Sequence, residues 1–263
     1  MTWKGANAKV PPDPDRVTPE QHSLGRSVLL HLFPGAVLTA FVVIAAPAAE
    51  ALGFPPVFVL FAGIGLVIVP LELGYLMTQA GRTTGSWSPL GVVTYRTRLS
   101  MKTYALWGFA LFAWFTALLI VAQVWLDRIV ADRLFSWMPH VILQFSALDG
   151  GEPVGGARLA VVLIVAFVFN GLVGPVTEEL YFRGHLLPRI DRFGRWAPVI
   201  NAVLFSAYHF WTPWQNLTRI IGVLPWSWAA WRARSVYLPM AAHVAVNNVF
   251  LLLFTAVALG SGG

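Results

Sequence analysis

Residues 159–183 read LAVVLIVAFVFNGLVGPVTEELYFR, and this stretch indicates a membrane helix with charged residues at its C-terminal end. Its first nineteen residues, 159–177, contain no charged side chain and approach the about 20 apolar residues that cross a bilayer. Glu178, Glu179 and Arg183 follow immediately. A charged side chain at the edge of hydrocarbon is costly, so it is a candidate functional group by default. The stretch therefore predicts a transmembrane helix that carries functional carboxylates.

The composition is that of a membrane protein. Of the 263 residues, 57% are hydrophobic and 11% are charged, whereas soluble domains contain about 25% charged residues. The net charge of +6 is carried in short loops between apolar runs, so it indicates membrane orientation and not nucleic-acid binding. The sequence contains no cysteine, which excludes disulfides, a thiolate nucleophile and cysteine metal ligands.

We predict an all-α fold, a polytopic bundle of about seven transmembrane helices, because open strands cannot satisfy their backbone groups in lipid. The predicted spans are residues 28–46, 55–77, 104–126, 159–176, 196–211, 217–231 and 236–259. The fifth and sixth are short for full spans, so each is tilted, re-entrant or packed against protein. We divide the chain into a flexible N-terminal tail without a cleavable signal peptide (1–27), accessory helices (28–158) and a catalytic region (159–259).

Lysine and arginine residues predict the orientation of the bundle. The loop between the second and third spans contains four basic residues and no acidic one: Arg82, Arg96, Arg98 and Lys102. Loops rich in lysine and arginine remain in the cytoplasm. We therefore expect this loop, the N-terminus and the glutamate end of the fourth span to be cytoplasmic, with the C-terminus outside.

The two adjacent glutamates are expected to have different surroundings. Residues four apart share a helix face, whereas adjacent residues point about 100° apart. Glu179 and Arg183 can therefore pair, which leaves Glu178 without that partner. A desolvated carboxylate of this kind is suited to general-base activation of water. The alternative is a solvated acidic helix end with an ordinary salt bridge.

Two further motifs place histidines in apolar segments. His209 follows Phe205 by four residues, and His243 and Asn247 are also four apart. An imidazole and an amide on one face can donate to the oxyanion that forms in amide hydrolysis. Taken singly, a histidine like His209 is more often an interhelical hydrogen bonder than a catalyst, and the same role is plausible for His243 and Asn247. Because such groups recur in three spans, we favour a hydrolytic site over a non-catalytic transporter or scaffold with a proton relay.

Three motifs carry a resemblance to a known family. Glu-Glu-x-x-x-Arg at 178–183, Phe-x-x-x-His at 205–209 and His-x-x-x-Asn at 243–247 follow one another in order. This set resembles the CPBP family (CAAX protease and bacteriocin-processing, also called Abi), which includes the type II CAAX prenyl endopeptidases. The resemblance covers about residues 159–254. It implies an intramembrane endopeptidase, with a bacteriocin-immunity scaffold among the non-catalytic alternatives.

The resemblance also implies residue roles. Glu178 would activate water with help from His209, while the third motif would stabilise the oxyanion. Arg183 and Phe205 would be structural or orienting residues, with the Glu179–Arg183 pair holding its helix in register. The catalytic set implied in this way is Glu178, Glu179, His209, His243 and Asn247.

We expect no cofactor. Zinc held by Glu178, His209 and His243 is the alternative, since one carboxylate and two imidazoles can bind this ion. A His-Glu-x-x-His motif is absent from the sequence, and Asn247 is a poor zinc ligand. Both observations favour metal-free hydrolysis. The competing interpretation is the description of this family as metalloproteases.

The expected partners are membrane lipid and a peptide or protein substrate that is lipid-anchored, leader-like or CAAX-like. We predict no nucleic-acid partner and no particular oligomeric state. The expected location is integral to the membrane, the inner membrane if the chain is bacterial. The active site is expected to face the cytoplasm.

Overall fold

The computed structural model of the protein describes residues 19–122, 126–146 and 155–260. Every regular element in these residues is helical. An isolated β-bridge between Arg96 and Ser235 joins two connecting segments. The predicted all-α class is therefore confirmed.

The helices form a bundle in which two members contain wider turns. The α-helices are α1 (Leu24–Ala51), α2 (Pro56–Thr84), α3 (Met101–Ala122), α4 (Arg128–Leu134), α5 (His140–Leu143), α6 (residues 156–186), α7 (Ala197–Ala207), α8 (Asn216–Ala233) and α9 (Tyr237–Gly260). The 3₁₀ segments are Pro89–Gly91, Gln144–Ser146, Leu187–Trp196 and Pro213–Gln215. The π-helical segments are Ile64–Leu73 in α2 and Ala166–Val173 and Glu179–Leu186 in α6.

The first helix begins within the predicted N-terminal tail. The Ser23 hydroxyl accepts a hydrogen bond from the backbone N–H of Arg26 at 3.1 Å, which is the usual role of serine at a helix N-terminus. Residues 24–27 are therefore helical, while the division of the chain into tail, accessory helices and catalytic region stays a prediction. Residues 1–18 of that tail lie outside the described residues.

Among the described residues, four helical runs are long and apolar enough to cross a membrane: α1, α2, α3 and the run Gly156–Ala207, which contains α6 and α7. The predicted fifth span, 196–211, contains the 11 residues of α7, about 16 Å of helix against about 30 Å of hydrocarbon. Gly194, at a φ of 54°, kinks the chain shortly before α7. The chain is an integral membrane protein, and the number of seven spans stays a prediction.

The outer surface of the bundle is apolar. Leu29, Phe109 and Ile164 are 63%, 69% and 63% exposed, each on a different membrane-length helix. Apolar side chains on the outside of a protein suit surroundings without hydrogen-bonding groups. The hydrocarbon of a lipid bilayer provides such surroundings. Membrane lipid as a partner remains an expectation that this surface supports.

The polar end of α6 lies at the centre of the bundle. This helix packs against α2 and α9, while α7 packs against α1 and α8, and α3 packs against α8 and α9. All eight residues of Glu179–Leu186 are buried, and so is Glu178. The charged motif is therefore enclosed by protein and is not a solvated helix end.

Candidate active site

A cavity of about 200 Å³ lies between α2, α3, α6, α7, α8 and α9. Residues from all three sequence motifs line it: Glu178, Phe205, His209, His243 and Asn247. The fold thus brings together groups that are up to 69 residues apart in the chain. Glu179 and Arg183 are also buried but do not belong to the lining.

Glu178 faces two different donors with its two carboxylate oxygens. Its Oε1 accepts a hydrogen bond from the Tyr208 hydroxyl at 3.2 Å. Its Oε2 lies 3.8 Å from Nε2 of His243, which is longer than a direct N–H···O hydrogen bond. One side of the carboxylate is therefore fixed, and the other faces an imidazole across a short gap in the cavity.

Glu179 lies behind His243 and holds it. Oε1 of Glu179 accepts from Nη1 of Arg183 and from Nδ1 of His243, both at 3.0 Å. A hydrogen on Nδ1 leaves Nε2 of the same ring directed to the cavity side, where Glu178 lies. The ion pair expected from the four-residue spacing is present. Glu179 does not line the cavity itself, but it holds the ring of His243, which does.

Arg183 is fully buried, and only some of its guanidinium N–H groups have hydrogen-bond partners. Nη1 reaches Glu179, and the guanidinium carbon lies 3.9 Å from the centre of the Phe205 ring. This geometry is a cation–π contact. Arg183 thus links α6 to α7, and Phe205 provides the aromatic face on which the guanidinium rests.

His209 follows the last turn of α7 and is fixed by its own helix. Its Nδ1 lies 2.8 Å from the carbonyl oxygen of Phe205. An N–H at Nδ1 can donate to that carbonyl, which leaves Nε2 as the acceptor nitrogen of a neutral ring. The ring packs against Phe205, Tyr208 and Trp211 at centroid separations of 4.7–4.9 Å. Its orientation is therefore set by packing and by one hydrogen bond.

Asn247 is bonded to the π-helical segment of α6. Its Nδ2 donates to the carbonyl oxygen of Asn170 at 2.8 Å. The neighbouring Asn248 donates to the carbonyl of Gly171 at 2.9 Å. A π-helical turn leaves carbonyls without ordinary α-helical partners, and such turns are common at functional sites. The side chain of Asn247 therefore joins α9 to α6 at the cavity wall, with its second amide hydrogen free of this bond.

Two polar side chains at the site were not predicted from the sequence, one bonded to Glu178 and one in the cavity wall. Tyr208 reaches Glu178 from the position just before His209, and its backbone carbonyl lies so close to Gly35 that a Cβ there would be 1.9 Å away. No local pattern distinguishes this tyrosine. Arg219 did carry a signal, because it is the single charged residue of the predicted span 217–231.

In the described part of the chain, no group of three or more histidine, aspartate and glutamate side chains is arranged to hold a metal ion. Nδ1 of His243 contacts Glu179 and Nδ1 of His209 contacts a backbone carbonyl, which leaves Nε2 of each ring uncommitted. Histidines that bind zinc are commonly held in this way through their second nitrogen. The expectation of no cofactor and the zinc alternative therefore both stay predictions.

Part of the chain matches the model of a known protein family. Residues 160–249 match a family model described as type II CAAX prenyl endopeptidase Rce1-like. The comparisons with curated proteins and with solved structures gave no match. The matched range contains all three sequence motifs and every residue of the predicted catalytic set. Residues 160–249 therefore form an Rce1-like domain of the type II CAAX prenyl endopeptidase kind, which confirms the family resemblance found in the sequence.

Proposed function

We propose that this protein is an intramembrane endopeptidase that hydrolyses a peptide bond in a lipid-anchored, leader-like or CAAX-like substrate. The observation that carries the proposal is the gap of 3.8 Å between Glu178 and His243. It lies in the cavity, between a carboxylate and an imidazole that a second carboxylate holds from behind. A general base and a hydrogen-bond donor that face the same cavity are what acyl transfer to water needs.

In the proposed reaction, Glu178 takes a proton from water as the water oxygen bonds to the carbonyl carbon of the substrate. The same proton then passes from Glu178 to the amide nitrogen, and the C–N bond breaks to give a carboxylic acid and an amine. Tyr208 keeps the Glu178 carboxylate in place through its 3.2 Å hydrogen bond. His209 accepts a hydrogen of the attacking water at its free nitrogen.

The oxyanion needs donors that are in position before the reaction. With hydrogen on both ring nitrogens, His243 donates to Glu179 through Nδ1 and to the oxyanion through Nε2. Asn247 supplies its second amide hydrogen, since the first is used by the Asn170 carbonyl. Glu179 is a positioning residue in this scheme, because it contacts His243 and not the substrate. No step requires a metal ion.

The proposed substrate reaches the cavity from the cytoplasmic side. The basic loop after α2 and the glutamate end of α6 are placed there by the positive-inside rule. A substrate synthesised inside the cell and held at the membrane by a lipid or an apolar segment is therefore expected.

The test compares purified parent protein with Glu178→Gln in detergent, using a panel of fluorogenic lipidated peptides. Glu178→Gln keeps the shape of the side chain and removes its basicity, so the cleavage rate should fall by about 10²–10⁴-fold. Glu50→Gln, the same change at an exposed residue of α1, should retain the parent rate. A folded Glu178→Gln variant with full turnover would overturn the mechanism.

A further inference from the structure

Glu72 is a buried carboxyl group that the proposed reaction does not use. It lies in the π-helical segment Ile64–Leu73 of α2, and α2 packs against α6, which carries the two motif glutamates. Glu72 is fully buried, and neither of its carboxyl oxygens makes a hydrogen bond with a described residue. A π-helical turn is rare and is found mostly at functional sites. An acid buried at such a turn therefore requires a physical explanation.

The Tyr208 hydroxyl connects Glu72 with the carboxylate of Glu178. It donates to Oε1 of Glu178 at 3.2 Å. It also lies near enough to Glu72 for the two groups to act on each other, although they do not have the geometry of a hydrogen bond. Hydrogen bonds of a catalytic site are often long before the substrate binds and shorten afterwards. Tyr208 is therefore placed to interact with both carboxyl groups.

The direction of these hydrogen bonds follows from the number of hydrogens. A tyrosine hydroxyl has one hydrogen, and Glu178 accepts it. Glu72 can then bond to the Tyr208 oxygen only as a donor. A carboxyl group donates only when it is protonated, so this arrangement requires a neutral Glu72.

The charges around Glu72 also favour the neutral form. The titratable groups that face it among the described residues lie on α6 and just past the end of α7: Glu178, Tyr181, Arg183 and Tyr208. Arg183 is the cation among them, and its guanidinium is already paired with Glu179 at 3.0 Å. Arg219 acts on the α6 carboxylate next to Glu179, but Asp127 attracts it more strongly. A charge on Glu72 would therefore share a counter-charge that another carboxylate holds.

In the proposed reaction the buried centre is balanced without Glu72. Arg183 and a doubly protonated His243 carry two positive charges, while Glu178 and Glu179 carry two negative ones. Ionised Glu72 would add a negative charge away from water, which is costly unless a cation and hydrogen-bond donors compensate it. Glu178 has both kinds of partner, since Tyr208 donates to it and His243 lies 3.8 Å away. The negative charge therefore belongs on Glu178.

We propose that Glu72 is protonated in the resting protein and donates a hydrogen bond to the Tyr208 oxygen, which directs the Tyr208 hydrogen to Glu178. This role rests on the proposed endopeptidase function. Glu72 is a positioning residue, because it acts on the general base through Tyr208 and does not line the cavity. Two carboxyl groups in different surroundings thus take different roles, one as a neutral donor and one as the ionised base.

Infrared difference spectroscopy of the purified protein at neutral pH tests the protonation of Glu72. A carboxylic acid has a C=O stretching band that a carboxylate lacks. The difference between the parent and Glu72→Gln should therefore contain a carboxylic-acid band that shifts in heavy water. The matched control is Glu50→Gln, an exposed residue of α1, whose difference spectrum should contain carboxylate bands instead. A Glu72→Gln spectrum without the acid band would overturn the proposal.

Cleavage kinetics test the positioning role. Glu72→Met removes the donor to Tyr208 and should lower kcat about 10-fold with KM unchanged. The conservative variant Glu72→Gln keeps a neutral N–H donor and should recover most of the kcat that Glu72→Met loses. In a Tyr208→Phe background Glu72→Met should have little further effect, because the hydroxyl on which Glu72 acts is absent.

Two kinetic results would contradict the proposal. If Glu72→Met lowers kcat by the same factor with and without the Tyr208 hydroxyl, the side chain serves packing alone. If folded Glu72→Gln is as slow as Glu72→Met, the neutral donor is not what the site requires. The helical circular dichroism signal reports folding, and the infrared test on Glu72→Gln decides the protonation even if Glu72→Met does not fold.

The infrared result also separates this proposal from the proposed function. If Glu178→Gln cleaves at the parent rate, the hydrolytic mechanism fails, and the spectrum still decides whether Glu72 carries a proton. If Glu178→Gln is inactive and Glu72 carries no proton, the mechanism stands and the role of Glu72 is refuted.

Discussion

Replacing Arg183 by methionine should lower the free energy of unfolding by about 3 kcal/mol. The side chain of Arg183 is fully buried, pairs with Glu179 at 3.0 Å and lies 3.9 Å from the centre of the Phe205 ring. Methionine keeps most of the length of the side chain and removes the charge. The change therefore leaves Glu179 as a buried carboxylate that has lost its permanent counter-charge.

The magnitude follows from three contributions. Removing one partner of a buried ion pair costs about 3–5 kcal/mol. His243 continues to donate to Glu179 at 3.0 Å, which places the expected loss at the lower end of that range. The cation–π contact disappears, but a methionine sulfur beside Phe205 recovers about 0.3–1.5 kcal/mol. The net expectation stays close to 3 kcal/mol.

The assay is equilibrium unfolding in mixed micelles, followed by the helical circular dichroism signal. Arg26→Met is the matched control, because Arg26 pairs with Glu20 at 3.5 Å while both side chains are largely exposed, at 45% and 82%. Exposed pairs contribute about 0–1 kcal/mol. The double variant Arg183→Met with Glu179→Gln should be more stable than Arg183→Met alone, because no carboxylate is stranded. Equal losses for Arg183→Met and Arg26→Met would refute the reasoning.

Two further outcomes are expected. Tyr208→Phe removes the hydroxyl that donates to Glu178 and should reduce kcat about 10-fold with KM unchanged. The control variant Tyr104→Phe, which removes a hydrogen bond to the backbone of Leu99, should match the parent in both constants. A drop in KM for Tyr208→Phe would contradict the positioning role of Tyr208. Incubation with a zinc chelator should leave the cleavage rate of the purified protein unchanged, whereas a loss that added zinc restores would favour the metal-dependent alternative over the proposed mechanism.

The sequence predicts best those features that depend on near neighbours. The helical membrane class follows from composition and from apolar runs such as 159–177. The Glu179–Arg183 pair follows from a four-residue spacing on one helix. The family follows from three short motifs in order. Each of these conclusions uses residues that are close in the chain or a pattern that does not depend on tertiary contacts.

Contacts between distant segments could not be predicted in the same way. His243 binds Glu179, which is 64 residues away, and Tyr208 binds Glu178 from 30 residues away. The four-residue spacing predicted that His243 and Asn247 lie on one helix face, but no sequence pattern predicted a carboxylate behind the His243 ring. The length of α7 was also overestimated, because the apolar run 196–211 continues past Ala207, where the helix ends.

The wide turns of α6 have a consequence for the angle at which Glu178 enters the cavity. In the segment Ala166–Val173 the helix holds more residues per turn than an α-helix does, and two asparagine amides of α9 bond the carbonyls there. Each residue added to or removed from an α-helix rotates everything beyond it by about 100°. The direction of the Glu178 carboxylate therefore depends on the number of residues upstream of it. One residue inserted into the α-helical turn Gly174–Glu178, where no wide turn absorbs the change, would swing Glu178 away from His243.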